Sequence, residues 1–376
     1  MHSTQNHYRK WHPLLWLIAP FLCALPAQAQ QFAGLGMPAG AVSSWAVDIS
    51  EDGSTIIGDA GSLQSWRWRS GSGIELLGTL PEYTDRQFVG GLTADGSRIV
   101  GTAGRDADAA RTGFLWRQDT GMARLPSGTS EILTAAAGDY VVGQGPTFGA
   151  NAFRWSPQGG RESLGSIAPG PYIPQNQSSA NALSSDGSFI VGTAIVIPSG
   201  LTTSVGTPYR WTPQTGMQPL LRLDGSALAG TANDVSADGS VITGYAILDG
   251  SGRSFFRWTE ATGYQFFTAL NSAGFGRISG DGSTIITGRT IWTEQGGVRS
   301  LMEVMTQAGC DFTGWSITAA TGISFDARTI CGEGIDPQGR RQAWVATIPA
   351  PGVAGVLWLG CVMAARRRTR VDERLR

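Results

Sequence analysis

The stretch SADGSVITG at 236–244 recurs along the chain. SEDGSTIIG (50–58), TADGSRIVG (93–101), SSDGSFIVG (184–192), SGDGSTIITG (279–288) and SFDARTICG (324–332) repeat it with small changes. A short acidic turn leads each time into an apolar run that ends on glycine. Asp-Gly between apolar alternations is a hairpin signal, because glycine accepts the positive φ that primed turns require. The closing glycines are Gly58, Gly101, Gly143, Gly192, Gly244, Gly288 and Gly332, so the unit repeats every 42 to 52 residues.

After each glycine come a variable loop and an aromatic phrase: SWRW (65–68), GFLW (113–116), AFRW (152–155), PYRW (208–211), FFRW (255–258), RTIW (289–292) and RQAW (341–344). A glycine turn and another apolar stretch follow the first six. Each unit thus holds four short apolar segments, which is the spacing of a propeller blade. Radial repetition of this kind also protects strand edges. The expected fold is all-β, a seven-bladed β-propeller of four-stranded antiparallel blades, with an open β-solenoid as the alternative.

Two features favour the closed ring. The seventh unit stops after RQAWVATIP without a fourth strand, and QFAGLGMPAG (31–40) resembles the fourth-strand phrases GIELLGTLP (73–81) and GRESLGSIAPG (160–170). The N-terminal strand is therefore expected to complete the last blade. The segment before each turn is rich in small residues, as in AVDIS and ANDVS, and suits the crowded axis. Trp68, Trp116, Trp155, Trp211, Trp258, Trp292 and Trp344 recur once per unit and read as core between blades. The arginines beside them, Arg67, Arg154, Arg210 and Arg257, are placed to stack on rings or meet turn carboxylates. LTAAAGDYVVG (133–143) lacks the Asp-Gly turn, and the sixth unit carries one extra residue, so local irregularity is expected in both.

The ends differ in character. Arg9 and Lys10, the apolar run LLWLIAPFLCAL (14–25) and Ala27-Gln28-Ala29 read as a signal peptide over 1–29, cleaved after Ala29. The run is short of the ~20 residues a spanning helix needs. At the other end IPAPG (348–352) precedes VAGVLWLGCVMAA (353–365) and RRRTR (366–370). This is a short membrane segment with a cytoplasmic-side charge. The repeats would then occupy 30–349 and the tail 350–376.

All three histidines and the only lysine lie at or before position 12. Between 30 and 352 stand 20 arginines against 27 carboxylates, a net charge of −7. An acidic body without lysine argues against a nucleic-acid surface. Without histidine the usual Ser-His-Asp and Cys-His mechanisms and imidazole-ligated metal sites are absent. No cofactor is implied. Cys310 and Cys331, in an exported domain, suggest a disulfide, with two unpaired buried thiols as the alternative.

The units FRWTPQTGM…L with A…IS.DGS.IVG, over nearly all of 31–349, resemble the HAF family of extracellular repeats. The C-terminal Pro motif, apolar segment and Arg366, Arg367 and Arg368 resemble the PEP-CTERM sorting tail, although Pro349-Ala350-Pro351 stands where that family has Pro-Glu-Pro. The resemblance implies an exosortase-like processing enzyme as a partner, membrane contact through the tail, and delivery to the cell surface or exterior, often alongside exopolysaccharide. It implies no catalytic residues.

What chemistry remains is carboxylate chemistry, since glycosidases need only two acids at a suitable separation. Asp48 and Asp234, with Asn181, Asn233 and Arg277 at related positions, are expected to line the channel, either contacting a polar ligand or satisfying buried backbone groups. Asp52, Asp95, Asp186, Asp238, Asp281 and Asp326 repeat in unit after unit and read as turn residues. The favoured reading is a non-catalytic exported propeller that binds exopolysaccharide or a surface protein. The alternatives are a carbohydrate-active enzyme using the channel carboxylates, and a purely structural self-assembling surface protein.

Overall fold

The computed structural model describes residues 31–348 except 63, 108–109, 127–131, 146–150, 168–171, 199–201, 249–251 and 268–275. Ala29, Pro349, Pro351 and Arg366–Arg368, the signal cleavage and tail positions, lie outside the described residues. Seven four-stranded antiparallel sheets form a closed β-propeller. The first six blades span residues 45–76, 86–124, 132–163, 172–219, 230–267 and 277–300. The seventh takes three strands from 316–347 and its outermost from Phe32–Gly36. Strands run from the axis outward in chain order, and each inner strand contacts the next around the whole ring. The N-terminal strand closes the last blade as expected: Phe32 pairs with Ala346 and Gly34 with Trp344. Phe32 then sets its ring edge-on against Trp315.

The repeated turn is more specific than a primed hairpin. In the fifth blade Ser236 Oγ donates to Asp238 Oδ1 at 2.6 Å and accepts from Val241 N at 3.0 Å. Asp238 Oδ1 also accepts Ser240 N at 2.9 Å. The Ser236 hydroxyl and Ser240 amide hold Asp238 below the usual carboxylate range. Ser236 N bonds Val241 O, so four residues loop out between the strands, where a primed turn has two. Gly239 has φ +74°, and a Cβ there would meet Phe189 of the preceding blade at 2.1 Å. Glycine is thus needed twice over, for conformation and for blade contact.

The glycine that closes each phrase has a separate reason. It faces a bulge in the inner strand, and a Cβ at Gly58, Gly101, Gly143, Gly192, Gly244 or Gly332 would meet an inner-strand carbonyl oxygen at 1.9–2.2 Å. At five of these positions a ring on the third strand also fills the space above: Trp66, Phe114, Tyr209, Phe256 and Trp344. This register corrects two expectations. Trp344 pairs with Gly332, as Trp66 pairs with Gly58, so it holds the inner aromatic place and Ala346 the place of Trp68. In the sixth blade Ile285 and Ile286 pair with Trp292 and Ile291, so Thr287 stands at the glycine position and the turn carries no extra residue. Gly288 lies one step beyond, in a two-residue turn, and its carbonyl accepts Ala320 N of the seventh blade at 2.7 Å. The third blade keeps all four strands, with Gly138-Asp139 as a two-residue turn between Ala137 and Tyr140.

The cores lie between neighbouring blades. Trp116, Trp155, Trp211, Trp258 and Trp292 are buried there, whereas Trp68 is half-buried. Arg67, Arg154, Arg210 and Arg257 each stand over the tryptophan of the next blade, at 4.4, 4.7, 5.4 and 5.7 Å from ring centroids. Arg67 and Arg154 also pair with Glu75 and Glu162 on their own outer strands.

The disulfide is not formed: Cys310 and Cys331 are free, buried thiols. Cys310 packs with Phe32 and Met305, with Gln31 O near its Sγ at 3.3 Å. Cys331 faces the interface with the first blade, beside Ile49 and Trp66, and burial pushes its thiol up to about 12. The two lie in separate cores, which removes the geometry a bridge needs. One element was not expected, a helix over Leu301–Gln307 that buries Leu301 and Met305 beneath the sixth and seventh blades.

Candidate functional site in the central channel

The inner strands place one residue each at a common level of the channel. By register with the second strand these are Asp48, Gly91, Ala135, Ala182, Asp234, Arg277 and Gly322. Four are small, as the narrowing axis requires, and three are ionisable. All three ionisable residues fall in the arc from the fifth blade round to the first.

The two acids are held alike. Asp48 Oδ1 accepts its neighbour Ile49 N at 2.9 Å, and the carboxylate takes a further backbone bond from Leu92 on the next blade. Asp234 Oδ1 accepts Val235 N at 2.9 Å, and Oδ2 accepts Ile278 N of the next blade at 3.0 Å. Leu92 and Ile278 are equivalent positions, so each aspartate ties its inner strand to the following one. The carboxylates keep partial exposure to the channel but are ringed by protein. Burial pushes Asp48 up to about 6, against the opposing pull of the Arg277 charge, while the Asp234 charge adds to the rise. Burial raises Asp234 as well, again opposed by Arg277. Arg277 Nε donates to Thr321 O of the seventh blade at 3.2 Å.

Two spaces meet at this level. On the turn side lies a narrow compartment of about 120 Å³ lined by Asp48, Asp234 and Arg277. Glu51 and Ser185, of the first and fourth blades, hydrogen-bond to each other among its lining residues. On the opposite side the channel widens into a funnel of about 1000 Å³. Its lower wall carries Thr134, Asn181, Asn233 and Thr231; its rim carries Phe88, Arg105, Asp106 and Arg111. Arg277 lines both spaces, so it forms the floor of the funnel and the roof of the compartment. Asp48 and Asp234 do not line the funnel.

The five expected channel residues are therefore split between two rooms. Asn181 and Asn233 are the bulged residues, one step before the ionisable level. Asn181 Nδ2 donates to Ala232 O of the next blade at 2.7 Å, as Thr134 Oγ1 donates to Ala180 O at 2.7 Å. Asn233 makes no such link among the described residues, and its Oδ1 is buried without a partner. Of the long loops, 105–113 supplies the rim arginines. Asp59 lies outside the expected channel set, and no motif in the sequence marks it. It is buried between the first two blades, where its Oδ1 accepts Ser65 Oγ at 2.6 Å and Val89 N at 3.2 Å. Burial pushes it up to about 7, with no charged neighbour to oppose the shift. Among the described residues no group of His, Cys, Asp or Glu is arranged to hold a metal ion.

No family model matches the sequence, and no curated protein matches it. Among solved structures the chain is similar to the β-propeller domain of the Trilobed protease from Pyrococcus furiosus, with TM-score 0.52 and 9% identity over 81% of this chain and 94% of that one. It is also similar to oligogalacturonate lyase from Vibrio parahaemolyticus (TM-score 0.45, 12% identity, 80% and 76% covered) and to TolB from Acinetobacter baumannii (0.41, 14%, 77% and 78%). At these identities the likeness speaks to the fold alone. The Pyrococcus domain has an open velcro topology, whereas here the N-terminal strand pairs into the last blade.

Proposed function

We propose that this protein is a non-catalytic binding propeller, exported to the cell surface or its matrix, that holds a polysaccharide in the central funnel. The observation that carries this reading is the separation of the acids from the ligand-sized space. A glycosidase needs two carboxylates flanking one bond. Here the funnel has the volume of a ligand site, while Asp48 and Asp234 sit in a separate, narrow compartment of about 120 Å³ and are occupied by backbone N–H groups. The funnel wall offers hydroxyls, amides and guanidinium groups, which suit a polyhydroxylated ligand. Export rests on the N-terminal signal pattern. Surface delivery, and an exosortase-like enzyme that processes the tail, rest on the Pro-Ala-Pro, apolar and arginine segments.

The test is to incubate the purified chain with the exopolysaccharide of the cells that produce it, and to measure co-sedimentation together with newly released sugar ends. Co-sedimentation without release is expected. Release of sugar ends overturns the non-catalytic reading, and absence of both overturns the polysaccharide reading in favour of a protein partner or self-assembly.

A further inference from the structure

We propose that the ligand of the funnel is an acidic glycan, with a sugar carboxylate held over the floor by Arg277 and Asn233. This rests on the reading of the funnel as a polysaccharide site and names the class of sugar it takes.

The argument begins with charge. The body of the chain carries a net charge of −7 between residues 30 and 352. Among the described residues four arginines line the funnel against the carboxylate of Asp106, while Asp48 and Asp234 act on the Arg277 charge from the compartment below. Asp106 is taken up by Arg86 at 2.7 Å on the rim. Arg111 has no ion-pair partner among the described residues. Arg277 has no carboxylate within ion-pair distance there either, and it uses only Nε, toward Thr321 O. Arg277 lines both the funnel and the compartment, and a guanidinium can meet a carboxylate through two parallel bonds. Walls of low dielectric around such a charge strengthen its pull on an anion.

The second observation is independent of charge. The bulged residues of the third and fourth blades, Thr134 and Asn181, are spent on linking inner strands. Asn233, the equivalent residue in the fifth blade, is 6% exposed, lines the funnel and has no side-chain hydrogen bond among the described residues. A buried amide without a partner costs free energy, so a symmetric scaffold has no reason to keep one. It falls next to the blade that supplies Arg277. Asn233 and Arg277 both line the funnel, and an amide N–H and a guanidinium both donate to an anion, which the carboxylate of a uronic acid residue supplies. The third observation is apolar. Phe88 on the rim is 43% exposed and offers a ring face of the kind on which sugar C–H faces stack.

The experiment is calorimetric titration of the purified chain with a polyuronate oligosaccharide, its methyl-esterified form, a neutral glucan oligomer and a sulfated glucan oligomer. The polyuronate is expected to bind, with esterification weakening affinity at least tenfold. Arg111→Gln, on the exposed rim, should weaken polyuronate binding several-fold and reduce its salt dependence. Asn233→Ala and Arg277→Gln should each weaken it at least tenfold. Circular dichroism of each variant separates loss of binding from loss of fold. Equal affinity for the free and esterified forms overturns the acidic assignment and leaves the polysaccharide reading standing. Tighter binding of the sulfated glucan than of the polyuronate overturns the carboxylate assignment. Binding of none of the four glycans overturns both this inference and the reading on which it rests.

Discussion

Asp59→Asn should make the protein more stable at pH 8 and change little at pH 4. Asp59 is 2% exposed, and only neutral donors reach it, the Ser65 hydroxyl and the Val89 amide. Burial pushes its carboxyl up to about 7 from an ordinary value of 3.8. Between those two values the folded protein binds one proton more than the unfolded chain. Stability therefore falls as pH rises through that window, and the contribution is flat below it and above it. A span of about 3 pH units at ~1.36 kcal/mol each gives at most about 4 kcal/mol. The asparagine Oδ1 accepts the same two hydrogen bonds without acquiring charge, so the variant should recover about 2–4 kcal/mol at pH 8. Urea unfolding of both proteins at pH 4, 6 and 8 reads the difference directly. Asp48, pushed up to about 6, titrates in both proteins and cancels in the comparison. A stability difference that does not change with pH, or a variant weaker than the parent at pH 8, would refute the assignment of a buried acid protonated near neutrality.

Gly101→Ala would drive a Cβ into Phe88 O at 2.2 Å and Phe114 Cζ at 2.4 Å, so it should cost about 3 kcal/mol or more by urea unfolding. Gly104→Ala, whose nearest contact would be 3.6 Å, should cost about 1 kcal/mol or less. Deleting 31–36 removes the outer strand of the seventh blade together with Phe32, and should lower the melting temperature by at least about 10 °C. Alkylation of the denatured, unreduced protein followed by peptide mass analysis should label both Cys310 and Cys331; a linked pair would contradict the two separate cores.

The fold was legible because the blade is written seven times. The Asp-Gly turns, the phrase-closing glycines and the missing fourth strand of the last unit are properties of the average blade. What the sequence hid were departures from that average whose cause lies in a neighbouring blade. Trp344 ends an aromatic phrase just as Trp68 does, and only pairing with Gly332 assigns it to the inner position. Gly288 looked like an insertion because glycine is the visible landmark, although Thr287 holds the site and Thr290, opposite it, replaces the inner aromatic. Asp-Gly alone predicts a two-residue primed turn, whereas the preceding serine hydroxyl sets its four-residue length. Leu301 and Met305, one helical turn apart with Gly309 at φ +82° behind them, are the signal that could have shown the helix. Cys310 and Cys331 looked pairable by count and compartment, yet they belong to different interfaces.

The channel residues Asp48, Asn181, Asn233, Asp234 and Arg277 were found from the small-residue strands, since a polar side chain among alanines and glycines stands out. Their division into two rooms was not legible. It depends on the inner-strand bulge, which sends Asn181 and Asn233 into the funnel and leaves Asp48 and Asp234 below Arg277. Nor could the sequence show that Asn181 is spent on a neighbouring carbonyl while Asn233 is not.

The most direct test of the account is a crystal structure of the purified chain with a polyuronate oligosaccharide. The account predicts an intact oligosaccharide in the funnel, with a carboxylate on Arg277 and the Asn233 amide engaged. A sugar bound only on the outer faces of the blades, or a cleaved chain with its broken end at Asp48 or Asp234, would contradict it.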